Sequence, residues 1–92
     1  MQNRYYEMIQ AAETMSAPDF LSAYPGQDSL YAAVNRTMSE IAADSGKSGW
    51  EISRRFGISY RTMESWTSGR KRCPPYVRLM IQELLGIYTP AL

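Results

Sequence analysis

The chain has 92 residues, 45% hydrophobic and 21% charged, which suits one small ordered domain with a modest core rather than two domains or a disordered chain. One cysteine and no histidine exclude an internal disulfide and make zinc ligation remote. The formal net charge of +1 hides an asymmetry: residues 47–78 carry eight cations against two anions, an excess of +6, while residues 1–46 carry −4. Such a split is the footprint of a polyanion-binding half joined to a non-binding half. No run approaches the ~20 uncharged apolar residues of a membrane span, and the first residues lack the apolar stretch of a signal peptide. A cytoplasmic protein with no membrane association is the expectation.

Residues 4–16 predict a helix, because Tyr5, Met8, Ile9, Ala12 and Met15 recur at three- and four-residue steps. Ala17-Pro18 ends it, and Asp19 then caps a short turn or helix with Phe20, Leu21 and Tyr24, closed by Pro25-Gly26. Residues 1–28 thus form an N-terminal helical extension, which either packs on the rest of the domain or supplies a dimer surface. The next helix starts at Asp28 or Ser29 and buries Leu30, Val34, Met38 and Ile41, with Gly46 past its end. Arg36 lies on its polar side, as a solvated cation or a phosphate contact.

Ser48-Gly49-Trp50-Glu51 has the Ser-x-x-Glu spacing of a capping box, in which each side chain satisfies a free backbone donor. The helix it opens buries Ile52 and Phe56 and breaks at Gly57, with Ile58 a buried position just beyond. Ser59 caps a second helix, ended by Gly69. At roughly 100° per residue, Thr62, Met63 and Trp66 gather on one side of that helix, and Tyr60, Arg61, Glu64, Ser65 and Ser68 on the other. Stability asks nothing of that polar face, which suits a major groove. Arg70-Lys71-Arg72-Cys73-Pro74-Pro75 follows, and Pro75 suits the first position of a last helix carrying Val77, Met80, Ile81, Leu84 and Leu85. Gly86 stops it, leaving residues 87–92 as a tail in which Pro90 excludes more helix. The fold class is all-α, with about five helices and no strand signal.

Residues 48–69 resemble the helix-turn-helix of the lambda-repressor-like (Cro/Xre-type) family, through Ser48, Ser53, Gly57, Ile58, Ser59, Thr62, Met63, Trp66 and Gly69. The resemblance extends more loosely over residues 29–86, and the basic, proline-bearing loop after it is similar to that of small bacterial regulators. Two positions depart from the pattern: Gly49-Trp50 replaces a polar pair, and Ser53 replaces alanine. What the resemblance implies is a double-stranded DNA-binding protein, a transcriptional regulator, with the helix after Ser59 in the major groove. Base contacts then fall to Ser59, Tyr60, Arg61, Glu64 and Ser65. Phosphate contacts fall to Ser48, Thr67, Ser68 and the Arg70, Lys71 and Arg72 clamp.

Arg61 either donates bidentately to guanine O6 and N7 or holds a phosphate. Tyr60 either packs on a thymine methyl or bonds a phosphate. Glu64 either accepts from cytosine N4 or, more in keeping with its charge, pairs with Arg61. The cationic neighbours of Cys73 favour a lowered thiol pKa, although a small loop residue without redox duty is the plainer reading. Such regulators bind as two-fold dimers with half-sites ~34 Å apart. The alternative reading is a protein-interaction or antitoxin-like module, met through the N-terminal helix with Tyr5 and Tyr6, in which DNA binding is secondary. Catalysis is not expected, since no base, metal-ligand cluster or phosphate-cradling glycine loop is present, and no cofactor is implied.

Overall fold

The computed structural model describes residues 4–89, so of the expected tail only residues 90–92, Pro90 among them, lie outside that range. Among the described residues the chain is all-helical, with α1 (Arg4–Thr14), α2 (Ala17–Ala23), α3 (Asp28–Asn35), α4 (Met38–Ser45), α5 (Gly49–Phe56), α6 (Tyr60–Thr67) and α7 (Pro75–Leu84). No helix among them is long and apolar enough to cross a membrane.

Seven helices replace the expected five or so, chiefly because the helix expected to run unbroken from Asp28 divides. Arg36 is extended at ψ 131°, and Thr37 caps α4 in a full capping box: its Oγ1 accepts from the Glu40 N–H while a Glu40 oxygen accepts from the Thr37 N–H. The N-terminal pieces also differ in their caps. Ser16, not Asp19, caps α2, its Oγ accepting from the Asp19 N–H, with Pro18 in the first turn.

At the break after α3 the Ala33 carbonyl keeps only the Arg36 N–H, at 3.3 Å, and α7 supplies further donors there. The Gln82 side-chain amide donates to Ala33 O at 2.9 Å, and the Arg78 guanidinium to Val34 O at 2.6 Å. Gln82 Oε1 in turn accepts from Arg36 at 2.6 Å. Arg36 also pairs with Asp44, so it closes the break between α3 and α4. Arg78, counted above among the polyanion-binding cations, is 3% exposed and also donates to Cys73 O and Glu13. It is a structural cation.

This buried polar pair turns α7 relative to its expected face. Arg78, Leu79, Ile81 and Gln82 are buried, whereas Met80 and Leu84 are 55% and 59% exposed. On either side of that seam lie two apolar clusters. One joins Ile9, Ala12, Phe20, Leu30, Ala33, Val34, Leu79 and Tyr88, so α1 and α2 share a core with α3 and α7. The other joins Met38, Ile41, Ile52, Met63, Cys73 and Ile81 and holds α5 and α6 against α4 and α7. Tyr88, just past α7, is buried in the first cluster with its hydroxyl 3.5 Å from that of Tyr5.

Candidate nucleic-acid interface

Helices α5 and α6 are built from local signals. Ser48 Oγ accepts from the Glu51 N–H at 3.1 Å, and a Glu51 oxygen accepts from the Ser48 N–H at 3.0 Å. The Ser48 N–H, helped by the Ser48 hydroxyl, holds the Glu51 carboxyl below its ordinary pKa. Gly57 ends α5 at φ +68°, a left-handed conformation that costs other residues energy. Two residues later Ser59 caps α6, its Oγ accepting from the Thr62 N–H and donating to Thr62 Oγ1. Gly49 has a packing role, since a Cβ there would meet Met63 Cγ at 3.4 Å and Thr67 Cγ2 at 3.5 Å. The missing side chain lets the start of α5 lie close against α6.

Within α6, Met63 is fully buried and Trp66 half-buried against the second cluster. Tyr60, Arg61 and Glu64 are exposed and Ser65 half-buried, so the polar face is open. Thr62 departs from the wheel: it is exposed, because its hydroxyl is drawn to the Ser59 cap at the first turn. The Thr67 and Ser68 hydroxyls donate back to the carbonyls of Glu64 and Ser65.

The basic loop is only partly free. Past Gly69, at φ +84°, the chain folds back and the Lys71 N–H donates to Ser65 O at 3.1 Å. That fold brings Arg70 to Glu64 at 2.9 Å, so Glu64 pairs with Arg70 and not with Arg61. Arg72 reaches Glu13 at 3.4 Å, on α1. The first pair is exposed on both sides and weakly held, whereas in the second Arg72 is exposed and Glu13 half-buried. Arg61 and Lys71 take part in none of the ion pairs among the described residues. Burial pushes the Cys73 thiol up to about 12, against the pull of Arg78, so the lowered pKa suggested by its cationic neighbours is reversed.

Trp50, 53% exposed, meets Tyr60, 48% exposed, edge to face with ring centroids 5.5 Å apart. The Arg54 guanidinium lies 5.8 Å from the Trp50 ring centroid. The signal was available: Trp50 follows the cap of one helix and Tyr60 the cap of the next, and the Gly57 turn brings those two starts together.

No family model, no curated protein and no solved structure matches this chain.

Proposed function

We propose that the chain is a sequence-specific double-stranded DNA-binding protein acting in the cytoplasm as a transcriptional regulator, with α5 and α6 as a lambda-repressor-like helix-turn-helix. The observation that carries this reading is the face of α6. Tyr60 and Arg61 stand exposed at the start of α6, Lys71 is exposed on the loop that folds back onto Ser65, and Met63 anchors the helix from behind. In this reading Arg61 and Tyr60 meet base edges, with Ser59, Glu64 and Ser65 around them. Lys71 carries the phosphate clamp, aided by Arg70 and Arg72 once they exchange their carboxylate partners for phosphates. Thr67 and Ser68 line one hollow with Lys71 and Arg72, and Ser48 meets a phosphate at the start of α5. The role is binding, not catalysis.

Selection from a randomised duplex library is the test. An enriched site is expected, with salt-sensitive affinity. Arg61→Ala should relax the preference at one base position, a loss of about 1–3 kcal/mol there. Lys71→Ala should weaken all sequences alike. Absence of both an enriched site and salt-sensitive binding refutes the proposal.

A second reading, a protein partner or a second copy of the chain, is favoured by one observation. Tyr6, Tyr76 and Met80 are exposed where α1 meets α7, around a groove floored by Ile9 and Leu79. Because α1 shares the first core, deleting residues 1–28 would unfold the domain rather than test this surface. Met80→Ser is the sparing variant; a change in sedimentation or in partner capture with unchanged duplex binding supports this reading.

A further inference from the structure

We infer that the Trp50–Tyr60 ring pair reads the C5-methyl group of a pyrimidine in the major groove, an inference that rests on the DNA-binding reading above. Neither ring belongs to either core cluster, and each keeps about half its surface in water. Core packing therefore does not explain why two large aromatics stand here.

The pair is nevertheless ordered: the rings meet at 74°, and Arg54, one helical turn beyond Trp50, lies over the indole. It also joins the starts of the two motif helices, since Trp50 is the second residue of α5 and Tyr60 the first of α6. The surroundings are cationic. Lys47, Arg54 and Arg55 line the same hollow as Trp50, and Arg61 follows Tyr60; of the anions near the pair, Glu51 is committed to its cap and Glu64, one turn beyond Tyr60, to Arg70. An apolar point ringed by cations matches a polyanion that carries an apolar point. On the base edges of the major groove, that point is the methyl of thymine, or the same methyl on 5-methylcytosine. Trp50 thus takes the place of the polar contact that Gly49-Trp50 otherwise lacks, and it fixes the Tyr60 ring against the methyl.

The test uses duplexes recovered by selection with the full chain. Two libraries are run, one unmodified and one with 5-methylcytosine in place of cytosine. In each enriched duplex, thymine is replaced by uracil, or 5-methylcytosine by cytosine, one position at a time. Removing the read methyl should weaken binding about four-fold at one or two positions and leave the others unchanged. Dependence on thymine names one source of the methyl, and dependence on 5-methylcytosine alone names the other. In Trp50→Ala and Tyr60→Ala, methylated and unmethylated duplexes should bind alike.

Three results overturn the inference: no position responds to methyl removal, the variants keep the wild-type response, or single strands bind more tightly than the duplex. The first two leave the DNA-binding reading standing. That reading fails separately, if no duplex is enriched at all.

Discussion

Replacing Arg78 with methionine should destabilise the fold far more than any other change among the cations of residues 47–78. Arg78 is 3% exposed and donates to two backbone carbonyls, Val34 O and Cys73 O, besides reaching Glu13 at 3.5 Å. Methionine approximates the volume and leaves both carbonyls without these donors. An unsatisfied buried acceptor costs about 1–3 kcal/mol, and a lost charged donor lies toward the upper end. Against this, the Arg78 Nε–H has no partner in its buried position, so its removal recovers part of the desolvation cost. A net loss of about 2–4 kcal/mol follows, a large share of the ~5–15 kcal/mol of a small domain. Urea unfolding followed by circular dichroism measures it. Arg72→Met is the control: its ion pair with Glu13 at 3.4 Å is 63% exposed on the arginine side. That control should stay within about 0.5 kcal/mol of wild type. Equal effects of the two variants would refute the claim that Arg78 holds the α3 break and the basic loop together.

Cys73 should resist a thiol reagent at pH 8, because its thiol is buried and its pKa lies near 12; reaction in the native state at the rate of a free thiol contradicts this. Gly57→Ala should cost about 1 kcal/mol and lower Tm by roughly 4–8 °C, with Gly57→Asn milder. Nothing lies within 4 Å of a Cβ at Gly57, so the cost is backbone strain alone, and an unchanged Tm would refute it. Acidification should weaken α4 and α5 together. Glu40 and Glu51 have carboxyl pKa values lowered by the N–H groups of Thr37 and Ser48, so their contribution is full above 4.5 and is lost as pH falls through the lowered values. Glu40→Gln and Glu51→Gln together should flatten that acid limb of the stability curve; a limb unchanged by the pair removes these carboxylates as its cause.

What was legible in the chain was local. The caps at Ser48 and Ser59 and the stop at Gly57 act over three or four residues, and the helices they bound are α5 and α6. Thr37-x-x-Glu40 carried an equally local signal, but Leu30, Val34, Met38 and Ile41 continue the apolar spacing across the break and masked it. All four are buried, two in each cluster, so an unbroken periodicity spans two helices that serve different cores. Arg78 and Gln82 were opaque for a different reason. Their burial depends on carbonyls at the end of α3, more than forty residues away in sequence, and an arginine in a basic stretch reads as solvated. The same holds for Glu13, which belongs to no motif in the sequence and which receives both Arg72 and Arg78. Of the candidate site, the faces of Met63 and Arg61 followed from helical geometry alone. The partners of Glu64 and of Trp50 did not, since each lies across a turn whose path a single helix cannot report.

The most direct measurement is an amide chemical-shift titration of the isotope-labelled chain with a selected duplex. The account predicts perturbations over residues 59–65 and 69–72 and at Trp50, diminishing as salt is raised, with the α1–α7 groove around Tyr76 and Met80 silent. Perturbations centred on that groove, or none at duplex concentrations that saturate binding, would contradict it.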